Sequence, residues 1–340
     1  MKRAIIGGAG FIGINLAQYY LEKGESITIF DNFSRRGTTD NVNWIKSKYP
    51  RVSILQGDIR IDQEKLKHLM ETHDIIYHLA GQVAVTTSVT NPREDFEINA
   101  LGTFNVLEAA RSVSKPPILF YSSTNKVYGG MEDINIVEYK DRYDYENLPL
   151  GIPENRLLDF HSPYGCSKGA ADQYVHDYAR IYGLKTVVFR QSCIYGERQF
   201  GVEDQGWVAW FIIAAQLEKK ISIYGNGKQV RDVLYIKDLI KAYDMAGKKI
   251  SVTAGNIYNI GGGKKYCLSL LSLLVYLEKL LGKKINFTFA KWRPGDQPVY
   301  ISDISKAKKE IGWEPKISPQ IGVKRLQKWV SKNKEIFRDL

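Results

Sequence analysis

Through the first half of the chain, short runs of apolar residues alternate with longer stretches in which apolar positions recur at helical spacing. The runs at 3–6, 26–30, 52–55, 75–79, 118–121 and 186–189 read as strands buried on both faces. Between them the 3.6-residue period predicts helices over 11–23, 62–71, 95–113 and 164–182. Six apolar strands joined by helical crossovers predict an α/β fold, a doubly wound parallel sheet with helices on both faces. Residues 131–162 are polar, rich in Tyr and Glu and without a period, and are expected to form a long ordered loop over the site.

After Arg190 the alternation loosens. A helix over 207–218, strands at 221–224 and 231–235, and helices over 238–246 and 268–281 predict a smaller C-terminal substrate domain. The expected division is 1–190 for the sheet domain and 191–340 mainly for the substrate domain, with the chain returning to the sheet near 230–260. No internal repeat or low-complexity segment interrupts this plan.

Composition narrows the class. A chain of 340 residues, 44% hydrophobic, can bury a full core. No apolar run reaches the ~18 residues of a membrane span. Met1-Lys-Arg3 leads into a strand rather than a secretion signal, so a cytoplasmic protein with no membrane contact is expected. Cys166, Cys193 and Cys267 are odd in number and form no Cys-x-x-Cys pair, which points away from a disulfide framework and from a metal site. The net charge of +11 raises nucleic-acid binding as a possibility. Yet the basic residues gather as Lys-rich helix faces, near Lys219-Lys220, Lys248-Lys249, Lys283-Lys284 and Lys306 to Lys309, mostly without interleaved aromatics. Solvated faces explain them, no nucleic-acid partner is expected, and the residual positive potential would attract a diphosphate.

The chemistry begins at the N-terminus. The first apolar run is followed at once by Gly7-Gly-Ala-Gly10-Phe-Ile-Gly13 and then by a helical period. Gly7 permits a tight turn, Gly10 lets backbone approach a pyrophosphate, and Gly13 allows close helix packing, with the helix start facing the anion. The second strand ends in Asp31, about twenty residues on, where an acid accepts the ribose hydroxyls of NAD and repels the extra phosphate of NADP. Arg35 and Arg36 leave NADP open as the alternative, since either could pair with that phosphate. This is a Rossmann-like dinucleotide site with NAD as the expected cofactor.

A hydroxyl row, Tyr121-Ser-Ser-Thr124, precedes Tyr164-Gly-Cys-Ser-Lys168. A tyrosine with its ordinary pKa of about 10 takes a proton near neutrality only if a cation stabilises its phenolate. One helical turn puts Tyr164 and Lys168 on the same face, so the ammonium can lie beside the ring oxygen and the cofactor ribose. Thr124 is the third candidate, a hydroxyl that shares the substrate proton.

With the glycine turn, Asp31, the hydroxyl row and the Tyr-Lys pair in this order, nearly the whole chain resembles the extended short-chain dehydrogenases/reductases that modify nucleotide sugars. The resemblance makes Gly57-Asp58-Ile59 an adenine-contacting turn and His78-Leu79-Ala80-Gly81 the strand end along the pyrophosphate, with Asn99 on the helix that braces the site. It implies cofactor contacts from Gly7, Gly10, Phe11, Ile12, Gly13, Asp31, Asn32, Ser34, Arg35, Asp58, Ile59, Leu79, Ala80, Gly81, Asn99, Ser122, Tyr164 and Lys168. Ile223-Tyr224-Gly225, Val230-Arg231-Asp232 and Arg293-Pro-Gly-Asp296 resemble the family's nucleotide-diphosphate site. Tyr224 would lie against the base, Arg231 and Arg293 would hold phosphates, and Asp296 would take the ribose.

The family's 4,6-dehydratases carry Asp-Glu directly after the threonine, whereas here Asn125 and Lys126 follow Thr124. Without that acid pair, oxidation and reduction at one carbon remains, which fits an epimerase or a simple dehydrogenase. The strings from Asp31 to Asn41, Ser123 to Gly129, Asp159 to Asp172 and Asp204 to Trp207 are similar to the CDP-paratose 2-epimerase branch. That similarity implies a CDP-sugar substrate, inversion at carbon 2, and a sugar pocket containing Thr124, Asn125, Lys126, His161, Gln205 and Trp207. A carbon-4 epimerase of UDP-glucose type, an epimerase acting at carbon 2 of CDP-glucose, a nucleotide-sugar dehydrogenase or reductase, and a noncatalytic binding module stay open as alternatives. A homo-oligomer, dimer or tetramer, is expected for the family.

Overall fold

The computed structural model of the chain describes residues 1–293 and 295–337; Pro294, inside the Arg293 to Asp296 motif, lies outside them. A seven-stranded parallel sheet runs Asn256–Ile260, Thr186–Gln191, Ile118–Thr124, Ile75–His78, Lys2–Ile6, Ser26–Asp31, Ser53–Gln56 from edge to edge. Lys2–Ile6 is third from one edge, and strand order reverses between it and Ile75–His78. The C-terminal strand ends beside it therefore diverge and open a crevice, the place where α/β sheets bind ligands.

The apolar runs are continuous because both faces of the sheet are covered. Ile5 packs into one core with Phe120, Val187 and Phe189, while its neighbours Ala4 and Ile6 point into the opposite core with Ile76, Leu119 and Val188. All six predicted strands are present. The expected return to the sheet narrows to Asn256–Ile260, which pairs with Thr186–Gln191. Strand Val230–Tyr235, fully buried although it contains Arg231 and Asp232, belongs to a separate small sheet with Cys193–Tyr195, Cys267–Ser269 and Val299–Tyr300. A strand pattern in the sequence does not show which sheet takes the strand up.

Two features differ from expectation. The segment 131–162 forms an antiparallel pair, Ile136–Glu138 with Tyr143–Tyr145, and its Met131, Tyr145 and Ile152 pack with Val230, Val299 and Tyr300 in a third core. The Tyr145 hydroxyl donates to the Val299 carbonyl at 3.1 Å, so this tyrosine is a buried anchor, and the segment is fastened to the C-terminal sheet instead of lying over the site. The helix expected at 95–113 is interrupted at Glu97–Leu101 by a π-helical turn, which holds Asn99 between Pro92–Phe96 and Gly102–Arg111.

Candidate active site

Strand Lys2–Ile6 runs into Gly7 at φ 80°, where a Cβ would stand 2.5 Å from the Ala80 backbone nitrogen, so only glycine lets this turn lie against Leu79 and Ala80. Gly10 caps helix Phe11–Leu21 in an extended conformation, with no side-chain cap and no acid in the first turn, which contains Gly13. Those helix-start N–H groups are left for an anion. Asp31 is buried; its Oδ2 accepts the Ala9 N–H at 3.0 Å and its Oδ1 the Phe33 N–H at 2.9 Å. Burial raises its pKa, against the pull of those two N–H groups. Asn41, which no short motif marks, closes the turn by donating to the Ala9 carbonyl at 3.0 Å.

Exposed Asn32 accepts from the Ser34 hydroxyl at 2.8 Å and donates to Asp58 at 3.0 Å. Asp58 also takes the Arg60 guanidinium at 2.7 Å, which holds its carboxyl down at about 2. Ile59 is buried beside it. Arg35 is exposed and donates to Gln205 Oε1 at 3.0 Å, which ties the glycine-turn side of the crevice to the segment before Trp207. A cradle that a Cβ would fill, an uncapped helix start and a buried acid fit the pyrophosphate and ribose of a dinucleotide.

A cavity of about 390 Å³ continues from Phe11, Ile12, Leu79 and Gly81 past Ser122, Thr124, Tyr164 and Lys168. Thr124 ends its strand and caps a short 3-10 turn, its hydroxyl accepting the Lys126 N–H at 3.3 Å and lying 3.4 Å from Asn125 Oδ1. Tyr164 sits in the first turn of helix Ser162–Tyr182, its N–H bound to buried Ser88 Oγ at 3.1 Å. Thr124, Tyr164 and Lys168 are 8%, 8% and 6% exposed, so this part of the site is nearly dry.

Burial governs the charges. It pushes Tyr164 up to about 12 although a hydrogen bond with Thr124 opposes it. It also pulls Lys168 down to about 7, against the carboxylates of Asp172 and Asp95. Lys168 Nζ donates to the Ser122 carbonyl at 2.6 Å and lies 4.2 Å from the Tyr121 ring centroid. Burial thus works against the charged form of both groups, and the ammonium–phenolate pairing read from the spacing needs further charge to offset it.

Asn125, Lys126, Gln205, Trp207, Tyr224, Arg231, Arg293 and Asp296 line the far end of the same cavity. Arg231, 8% exposed, donates to Asp296 Oδ1 at 2.6 Å and to the Val230 carbonyl at 2.8 Å. Arg293 lies 3.7 Å from the Tyr224 ring centroid and donates to Asp204 Oδ1 at 2.7 Å. Lys126 Nζ approaches the Gly295 carbonyl at 3.4 Å, and burial, reinforced by Arg231, brings its pKa down to about 8.

His161 departs from this set. It is exposed at the start of its helix, against Gly295, and is not part of the cavity wall. Gln191, Glu203 and Gln229 also line the cavity and were not singled out from the sequence, as does Asp204, which opens the Asp204 to Trp207 string but was given no role there. Gln191 had a usable signal, since it ends a buried sheet strand on the ligand side; Gln229 stands only two residues before Arg231. Among the described residues no group of His, Cys, Asp or Glu is placed to hold a metal ion, and no helix is long and apolar enough to cross a membrane.

Comparison with known proteins places this geometry. The chain is 48% identical to a CDP-paratose 2-epimerase of Salmonella typhi, over 97% of this chain and 99% of that protein. A UDP-glucuronic acid 4-epimerase from Bacillus cereus, solved with UDP-glucuronic acid and NAD, superposes with a TM-score of 0.83 at 27% identity, covering 98% of this chain and 99% of that one. A dTDP-glucose 4,6-dehydratase from Streptomyces venezuelae, solved with NAD, gives 0.84 at 25% identity and covers 98% of each chain. The sequence profile described as GDP-mannose 4,6 dehydratase matches residues 4–326, and the chain belongs to that family, within the extended short-chain dehydrogenases/reductases.

Proposed function

We propose that this chain is an NAD-dependent nucleotide-sugar epimerase that inverts carbon 2 of a CDP-linked hexose, in the manner of CDP-paratose to CDP-tyvelose, through a transient 2-keto sugar. The observation that carries the reading is one cavity with Thr124, Tyr164 and Lys168 at a nearly dry end and Arg231 and Arg293 at the other. Asn125 and Lys126 stand there in place of an acid pair, and the CDP-paratose 2-epimerase relative matches at nearly full length.

The Gly7 to Gly13 turn, Asp31 and the Leu79 to Gly81 segment would hold NAD, which when bound would supply reversible hydride acceptance for carbon 2. Tyr164, as phenolate, takes the proton of the carbon-2 hydroxyl, and the Thr124 hydroxyl holds the same oxygen. Lys168 stabilises the phenolate once bound positive charge offsets the burial that otherwise keeps Tyr164 protonated. Arg231 and Arg293 grip the diphosphate so that the keto sugar turns over without escaping. Tyr164 would then return the proton to the same oxygen when carbon 2 is reduced again with inverted configuration. The work divides between a cofactor half, 1–190, and a mainly substrate-binding half, 191–340. The protein works in the cytoplasm, as a homo-oligomer; Phe104, Tyr174 and Ile181, 38%, 50% and 66% exposed on two helices, offer an apolar face for a second copy.

Incubation with CDP-paratose, CDP-glucose and UDP-glucose separately, followed by proton NMR, tests the substrate. Inversion at carbon 4 of UDP-glucose alone would favour the 4-epimerase alternative, and accumulation of reduced cofactor a dehydrogenase. Substrate deuterated at carbon 2 should give product still deuterated at carbon 2; loss of the label to solvent during turnover would sink the mechanism.

A further inference from the structure

Behind the site lies an acid to which the reaction above gives no task. Asp95 is 1% exposed and ends up between two elements that face the cavity. One oxygen accepts the hydroxyl of Ser167, the residue before Lys168. The other accepts Asn99 Nδ2 at 3.2 Å, and Asn99 Nδ2 also reaches Ser167 Oγ at 3.2 Å. Asn99 Oδ1 in turn takes the Gln82 N–H at 3.0 Å, and a Cβ on Gly81 would stand 2.9 Å from that oxygen. Asp95 thus fastens the Gly81-Gln82 strand end to the helix that carries Tyr164 and Lys168.

Its hydrogen-bond partners are all neutral. Among the described residues no cation lies within ion-pair distance of Asp95, and a buried carboxylate without a counter-charge is costly. The other carboxylate facing Lys168 is already matched: Asp172 takes Arg190 on both oxygens, at 2.8 and 3.0 Å, and the Ser123 hydroxyl at 2.6 Å. His78, on the strand packed against Lys168, is held neutral by burial and by that lysine's charge. Tyr121 presents only its ring face. Two buried cations and two buried carboxylates balance if Arg190 goes with Asp172 and Lys168 with Asp95. We infer that Asp95 is the standing counter-charge of Lys168, a positioning residue that acts through Ser167 and Asn99. This rests on Tyr164 and Lys168 being the proton-handling pair only for its effect on turnover.

The first test needs neither cofactor nor substrate. Lys168 sits near 7, below the 10.5 of a free lysine, so the folded protein binds that proton less readily than the unfolded chain. Without Asp95 it binds it later still, an added loss that is felt below pH 7 and vanishes above it. Asp95→Asn should therefore melt lower than wild type in acid. Burial also raises Asp95's own pKa, so its replacement by itself narrows that gap as pH rises through the carboxylate range. The part that reports Lys168 is the further closing or reversal through about 7, where Asp95→Asn should go on gaining on wild type. Asp95→Glu, which keeps the charge, should show a gap that does not vary with pH over that range. A gap for Asp95→Asn that is flat over that range would overturn the inference; should that variant fail to fold, Asp95→Ser removes the same charge.

The second test reads turnover of CDP-paratose against pH. Asp95 raises both Tyr164 and Lys168, so Asp95→Asn should move both limbs of the profile to lower pH, by about one unit, the low end for a nearby charge. Thr124, which bonds Tyr164, and Arg35, which lowers it, are unchanged in that variant. A lower rate on an unmoved profile would make Asp95 merely structural. If Tyr164→Phe and Lys168→Met leave turnover intact, the proposed function is what has failed, and the melting test still decides the counter-charge.

Discussion

Tyr164→Phe removes one oxygen from a site that can spare it structurally but not chemically. The ring fills the same volume, so the helix start held by Ser88 and the shape of the cavity should persist. Thr124 loses a partner but keeps the Lys126 N–H at 3.3 Å and Asn125 Oδ1 at 3.4 Å, so no buried donor is orphaned. The stability cost is then that of one hydrogen bond, about 0.5–1.5 kcal/mol. Turnover should fall by roughly a hundredfold to ten-thousandfold, the range for a lost general acid or base, or about 3 to 5.5 kcal/mol in the barrier. Proton NMR of a CDP-hexose would follow conversion, normalised to the NAD retained on each preparation. Melting curves with and without CDP would confirm that fold and nucleotide site survive. Activity above about a tenth of wild type, with cofactor and fold intact, removes Tyr164 as the base.

Lys168→Met should depress turnover comparably and move the onset of residual activity to higher pH, because Tyr164, already raised to about 12 by burial, loses its nearby cation; an unmoved onset in a pH–rate series argues against the pairing. Asp31→Asn should weaken NAD by about 1 to 3 kcal/mol and improve NADP relative to it, measured by calorimetry, whereas wild-type protein purified with NADP would shift the choice to Arg35 or Arg36. Arg231→Met should weaken CDP binding by about 2 to 5 kcal/mol while sparing NAD, since it removes one partner of a hydrogen-bonded charge contact; unchanged CDP affinity would take Arg231 out of the diphosphate site. Gly7→Ala should abolish NAD retention, because its Cβ would meet the Ala80 nitrogen at 2.5 Å, and a variant that still retains NAD would contradict the cradle.

What the sequence made legible is what lies close along the chain. Gly7, Gly10 and Asp31 belong to one strand–turn–helix–strand unit, and Tyr164 and Lys168 share one helix, so spacing alone put each group together. Thr124 was legible because it ends a buried strand. The partnerships that set the charges join distant positions: Arg231 with Asp296 is 65 residues apart, Asp95 with Ser167 72, and Arg293 with Asp204 89. No local period encodes those pairs. Nor does spacing report burial, which in the fold opposes the ionised Tyr164–Lys168 pair that the spacing suggests. His161, drawn into the pocket by a string of similar residues, lies outside the wall because the helix begins by turning it toward Gly295 and solvent.

The seventh strand has a consequence for how the chain comes off the ribosome. Thr186–Gln191, with Val187, Val188 and Phe189, has its outer hydrogen-bonding edge bare until Asn256–Ile260 has been synthesised. For the time taken to make about seventy residues, at about 5–20 residues per second, the nascent sheet offers a long apolar edge to any neighbouring chain. A fragment cut at 190 would carry that edge permanently and should aggregate, whereas one ending after 260 would close it. The sheet begun by the first 191 residues is thus completed by a strand made some seventy residues later, so the sheet is not finished until much of the second half of the chain has been synthesised.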